Sequence, residues 1–199
     1  MRTFEVGRVT PQSKAITVNN KFGNKGIKNQ QGSTVIKYDT LPIDGRTEFR
    51  FFEGSANRLF PDTNCTTDGN KLGVGNSLVV ERAYLSVITK VEGRITQIEQ
   101  IQLGGSAPEA INLSEFSLTV ANSEVIKQVP VLSWLPEFNK MAENQLNTNF
   151  EFDTQVVLPP LLEFVGIVRA PFYTPPVAEL YLRLTIEGAG AIISPRATF

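Results

Sequence analysis

Ala178-Glu179-Leu180-Tyr181-Leu182-Arg183-Leu184-Thr185-Ile186-Glu187 alternates without a break, with Leu180, Leu182, Leu184 and Ile186 on one side and Glu179, Tyr181, Arg183, Thr185 and Glu187 on the other. A period of two belongs to a pleated strand with one face buried. Such a strand needs partners beside it and a second layer over its apolar face. Working upstream, Phe116, Leu118 and Val120 alternate with Ser117, Thr119 and Ala121 in the same way. Ser77 to Lys90 is long and rich in β-branched and aromatic residues, but its apolar positions change face near Glu81 and Arg82, which predicts a bulge or bend. Further strand candidates are Phe4 to Val9, Ala15 to Val18, Thr34 to Tyr38, Thr47 to Phe52, Arg94 to Leu103, Val125 to Val131, Phe150 to Leu158 and Leu162 to Val168. The total is about ten or eleven short strands separated by turn chemistry. The turn signals are Asp44-Gly45, Asp68-Gly69-Asn70, Glu92-Gly93, Gly104-Gly105 and Pro175-Pro176.

One segment has a helical period. Pro136 to Leu146 opens with proline and places Phe138, Met141, Ala142 and Gln145 along one side. Many strands, frequent turns and one short helix in a connection predict an all-β fold, an antiparallel β-sandwich of the jelly-roll kind.

Composition narrows the chemistry. The chain has 199 residues, 41% of them hydrophobic, with 20 acids, 19 bases and no histidine. That length supports one domain with a sizeable core. Without histidine there is no Ser-His or Cys-His triad, no imidazole zinc site and no histidine acid-base catalysis. The expectation is a protein that is not an enzyme and uses no cofactor and no metal. Cys65 has no partner in its own chain, which excludes a disulfide-stapled miniprotein. Met1 to Val6 lacks the apolar core of a signal peptide, and the longest apolar run, Val156 to Val168, is interrupted by Pro159, Pro160 and Glu163. A soluble chain with no membrane span is expected.

Charge is unevenly spread. Residues 1–37 carry seven bases, Arg2, Arg8, Lys14, Lys21, Lys25, Lys28 and Lys37, against the single acid Glu5, whereas residues 38–199 carry 12 bases and 19 acids. Asn19 to Ser33 holds only Phe22 and Ile27 as large apolar residues, so it reads as a flexible loop or arm. The expected organisation is a basic N-terminal arm with the first strands over 1–37 and a single sandwich domain over 38–199. Those seven bases are the candidate partner contacts. They are either a solvated strand-and-loop region, or an arm lying on acidic surfaces of neighbouring subunits or on packaged nucleic acid without sequence preference.

Other motifs are weak. Gly69 to Ser77 has the glycine density of a phosphate loop but lacks the Gly-Lys-Ser/Thr ending and runs into a strand rather than a helix. Asp62 to Asp68 offers alternating oxygens, yet Thr67 and Gly73 stand where a calcium loop needs glycine and glutamate. Glu99, Glu115, Glu151, Asp153, Glu163 and Glu179 could supply a carboxylate pair, although acids spaced by two on a strand are ordinarily its wet side. Thirteen phenylalanines against four tyrosines and one tryptophan, Trp134, favour buried packing over rings that stack on sugars.

Gly75-Asn76-Ser77-Leu78-Val79-Val80-Glu81-Arg82-Ala83-Tyr84, then Phe150-Glu151-Phe152, Val157-Leu158-Pro159-Pro160-Leu161-Leu162-Glu163-Phe164 and a last strand ending Leu184-Thr185-Ile186-Glu187-Gly188 form a recognisable order. It resembles the jelly-roll structural proteins of bacteriophage virions, in which a long strand follows a glycine-rich turn and a Leu-Pro-Pro kink precedes the penultimate strand. The resemblance covers residues 70–190. It implies a non-enzymatic capsid or capsid-associated protein, made in the host cytoplasm and residing in the virion. Its partners would be copies of itself and other virion proteins. The alternative reading is a carbohydrate-binding or adhesive β-sandwich module.

Overall fold

The computed structural model describes residues 10–22, 30–53, 71–72, 76–89, 111, 113–131, 149–170 and 180–193. Helix α1 (Pro11–Phe22) is followed by strands β1 (Gln30–Pro42), β2 (Glu48–Phe51), β3 (Ser77–Thr89), β4 (Glu115–Val120), β5 (Ser123–Pro130), β6 (Asn149–Leu158), β7 (Phe164–Arg169) and β8 (Leu180–Ile193). The strands form two four-stranded sheets in the orders β1-β8-β3-β6 and β2-β7-β4-β5.

The order follows from one nesting rule. Strand β4 pairs with β5, β3 with β6, β2 with β7 and β1 with β8, all antiparallel, so the chain behaves as one long hairpin folded over on itself. Rolling that hairpin adds the contacts β3–β8 and β4–β7, which close each sheet. This is the eight-stranded jelly roll. The innermost turn is tight: Val120 faces Ser123, and Ala121 takes φ 53° in the two-residue loop. Pro159 and Pro160 fall between β6 and β7, where the Leu161 N–H donates to the Leu72 carbonyl at 2.9 Å.

Alternation puts the core between the sheets. Leu180, Leu182, Leu184 and Ile186 of β8 face Phe116, Leu118 and Val120 of β4 across it, and all seven are buried. Phe49, Phe51, Phe52, Phe116 and Phe164 are fully buried, and the rings of Phe52 and Phe164 meet at 5.1 Å. Each such side chain contributes about 1.5–3 kcal/mol of transfer free energy. Asp39 is also wholly buried; its carboxylate accepts the N–H of Thr40 at 2.9 Å and that of Phe52. Phe52 has φ 69°, a conformation costly for a bulky residue, and the Asp39 bond holds it there.

The bulge in β3 lies where the sequence places it. Register against both β6 and β8 shifts between Val80 and Arg82. Val80 and Ala83 both point inward as a result, while Glu81 and Arg82 lie on the outer side. Gly188 makes this close approach workable, because a methyl group there would sit 1.9 Å from the Val79 carbonyl oxygen.

Two expectations are corrected. Ala15 to Val18 is helix, not strand, and Asn19 to Ser33 is not one long loop: α1 runs to Phe22 and β1 starts at Gln30. Thr10 is the reason. Its Oγ1 accepts the Ser13 N–H at 3.2 Å, its carbonyl accepts the Lys14 N–H at 3.0 Å, and Pro11 occupies the first helical position. The candidates Phe4 to Val9 and Arg94 to Leu103, the helix Pro136 to Leu146, Cys65 and Trp134 lie outside the described residues. Among the described residues no helix is long and apolar enough to cross a membrane.

Candidate functional site

Strand β8 is central in its sheet, and its odd-numbered residues from Tyr181 to Ala191 face outward. Pairing with β1 places Thr40 beside Arg183, Tyr38 beside Thr185, Ile36 beside Glu187, Thr34 beside Ala189 and Gly32 beside Ala191. On the other side Ser86, Tyr84 and Arg82 align with Arg183, Thr185 and Glu187, and beyond the bulge Val79 and Ser77 align with Ala189 and Ala191. The outer face is thereby divided into three zones along one strand.

The first zone is the seat of α1. Ala15, Val79 and Ala191 are fully buried against one another, flanked by Ile16 and Val157. Small side chains on β8 let the helix approach, and the Ser77 hydroxyl donates to the Ala15 carbonyl at 2.6 Å. Lys14 Nζ donates to Gln155 Oε1 on β6 at 3.4 Å.

The second zone is a polar groove of about 290 Å³ between α1, β1, β3 and β8. Its walls carry Gln12, Ser33, Thr34, Glu81, Arg82 and Glu187, and its floor is Gly188 and Ala189. Arg82 Nη1 lies 3.7 Å from Glu187 Oε1, and the Tyr84 hydroxyl donates to that same oxygen at 2.6 Å. Burial, and next the Glu187 bond, raise the Tyr84 hydroxyl above its ordinary value.

In the third zone the Arg183 guanidinium lies over the Tyr38 ring, 4.9 Å from its centroid, and Nε donates to Thr40 Oγ1 at 3.0 Å. Burial lowers the Arg183 guanidinium from its ordinary value, so part of its hydration is already lost. Tyr38, Tyr84, Tyr181 and Arg183 are half-buried, and Ile36 is 46% exposed. Every tyrosine among the described residues lies on this face.

The opposite sheet is different. Its edge strand β2 carries Glu48, Arg50 and, just beyond, Glu53, joined to Arg169 of β7 by ion pairs of 2.6 to 3.2 Å. Charges on an edge strand discourage pairing with another chain.

Of the seven basic residues singled out from sequence, the structure describes Lys14, Lys21 and Lys37, which sit at separate places. Lys14 bonds its own sheet, Lys21 is exposed in the last turn of α1, and Lys37 sits on β1 opposite Ile186; Arg2, Arg8, Lys25 and Lys28 lie outside the described residues. Among the candidate acids, only Glu115 and Glu163 have described side chains, and these two stand apart. Glu115 and Glu163 sit at opposite ends of the β4–β7 pairing, and Glu163 pairs with Lys71 at 3.1 Å. Glu99 and Glu179, and the side chains of Glu151 and Asp153, are outside the described residues. No group of three potential metal ligands occurs among the described residues. Sequence reading missed the tyrosine–arginine zone and the groove; the strand alternation that exposes Tyr181, Arg183 and Glu187 was the available signal, but their partners on β1 and β3 come from register.

Compared with known proteins, the chain matches no family model, and no curated protein aligns with it significantly.

Proposed function

We propose that this chain is a non-enzymatic structural protein of a virus particle, working by burying surface against copies of itself and other shell proteins. The tyrosine–arginine zone on the outer face of β1-β8-β3 carries the reading. A solvated sheet face is ordinarily lined by small polar and charged residues, whereas Tyr38, Tyr181, Arg183 and Ile36 are of the types that anchor protein contacts. Arg183 is already stacked and partly desolvated, so little ordering is left to pay when a partner covers it. The jelly-roll topology and the resemblance described above are consistent with the role, and fold alone would not select it. Helix α1 packs on its own sheet through Ala15 and Ile16, and the sheet face is the contact this reading adds to the basic arm.

Tyrosine nitration read by mass spectrometry tests this. Tyr38 and Tyr181 should become protected as protein concentration rises and the assembly forms. Equal labelling of both at every concentration contradicts the proposal.

A further inference from the structure

The groove between α1 and the β3 bulge is not used by the assembly role, and its chemistry is selective. The lining holds two acids, Glu81 and Glu187, against one base, Arg82, a net negative charge that disfavours phosphates and other anions. Gln12 and Thr34 carry both donors and acceptors, and the Ser33 hydroxyl, which donates to the Thr34 carbonyl at 3.2 Å, can still accept, so the walls offer hydrogen bonds of both senses. The floor is the backbone at Gly188 and the small side chain of Ala189, with no bulky group on it. Strand β8 already uses its backbone groups on β1 and β3, so an added peptide strand finds no ladder there. The volume of about 290 Å³ stands near the low end of small-molecule sites, about 300–1,000 Å³. The bulge is the device that builds the groove: it turns Glu81 and Arg82, neighbours in sequence, to the same side of the sheet.

We propose that this groove binds a neutral sugar ring, a pyranose unit of a glycan. The ring lays its C–H face on Gly188 and Ala189. Its hydroxyls donate to the carboxylates of Glu81 and Glu187 and accept from Arg82 and Gln12. The Tyr84 hydroxyl donates to Glu187 Oε1 at 2.6 Å and Arg82 forms a long ion pair with it, which orients that carboxylate before a ligand arrives. This site goes beyond the assembly role and does not rest on it.

The test is an NMR shift titration of the full chain with the methyl pyranosides of glucose, galactose, mannose and N-acetylglucosamine at millimolar concentration, with inorganic phosphate and glycerol as separate arms. At least one pyranoside should saturably shift the amides of Ser33, Thr34, Arg82 and Ala189, while phosphate and glycerol should not. Glu187→Gln should weaken that binding by about tenfold, because it unpairs groups built to meet a hydroxyl. Thr34→Arg, an exposed position on the edge strand β1, should block the groove by bulk and leave the spectrum otherwise folded. No response to any pyranoside, an unchanged response in Thr34→Arg, or a stronger response to phosphate or glycerol would each overturn the proposal. Binding should persist in Tyr181→Glu, which separates failure of this site from failure of the assembly role.

Discussion

The space between the sheets and the seat of α1 are both apolar, yet they are built differently. The first is filled by five fully buried phenylalanines interlocked with aliphatic side chains, the cluster drawing on all eight strands and their connections. The second is a contact of Ala15 with Val79 and Ala191, rimmed by Ile16 and Val157 and supplemented by the bonds Ser77–Ala15 and Lys14–Gln155. Large interdigitated side chains make a core whose loss unfolds the molecule. Small flat ones make a dock that a helix can leave while the sandwich stays intact. Stability therefore resides between the sheets, and the leading helix is a local unit.

That contrast can be broken most forcefully at Phe116. Phe116→Ala should cost about 3–5 kcal/mol through a cavity between the sheets, and urea unfolding should show the whole sandwich shifting in one transition. Ala15→Arg should cost about 1–3 kcal/mol, because the seat has no room for a long side chain. Hydrogen exchange should then show α1 exposed while β3 and β8 remain protected; simultaneous loss of protection in the strands would erase the distinction. Thr10→Ala should cost about 1 kcal/mol by removing the bond to the Ser13 N–H, confined again to α1 by the same readout.

Acid titration should have the smallest effect. The Arg46 hydrogen bond lowers the Asp44 carboxyl from its ordinary value, and the Arg50 hydrogen bond does the same for Glu48. A lowered carboxyl contributes stability above its unfolded-state value and loses it as pH falls through the folded-state value. Both sites are at least 40% exposed, so each pair is worth below about 1 kcal/mol. The stability difference between the wild type and Arg46→Ala or Arg50→Ala should shrink toward zero in acid, in chemical denaturation followed across pH. A difference that grows in acid would contradict the assignment.

The sandwich was legible because alternation is local. The apolar positions of Leu180 to Ile186 and Phe116 to Val120 are buried as their spacing requires, and the change of face at Glu81 and Arg82 is the observed bulge. Helix α1 was not legible by that route. Ile16-Thr17-Val18 is β-branched and favours a strand by propensity, but the Thr10-Pro11 cap and the seat on β3 and β8 outweigh it. The cap was present in the sequence as a start signal; the seat exists only once Ala191 and Val79 are brought side by side. The outer-face site was half legible. Tyr181, Arg183 and Glu187 could be placed on a solvent side, but Tyr38, Tyr84 and Arg82 join them through pairings of residues far apart in the chain.

The central claim is that this protein functions through surfaces it covers with neighbours, and that the tyrosine–arginine face is one of them. Native mass measured by sedimentation velocity over a range of concentrations, for the wild type and for Tyr181→Glu, tests it most directly. The account predicts a concentration-dependent assembly for the wild type that Tyr181→Glu reduces to single chains without unfolding the sandwich. A wild type that stays a single chain at every concentration, or a variant that assembles as well as the wild type, would contradict it.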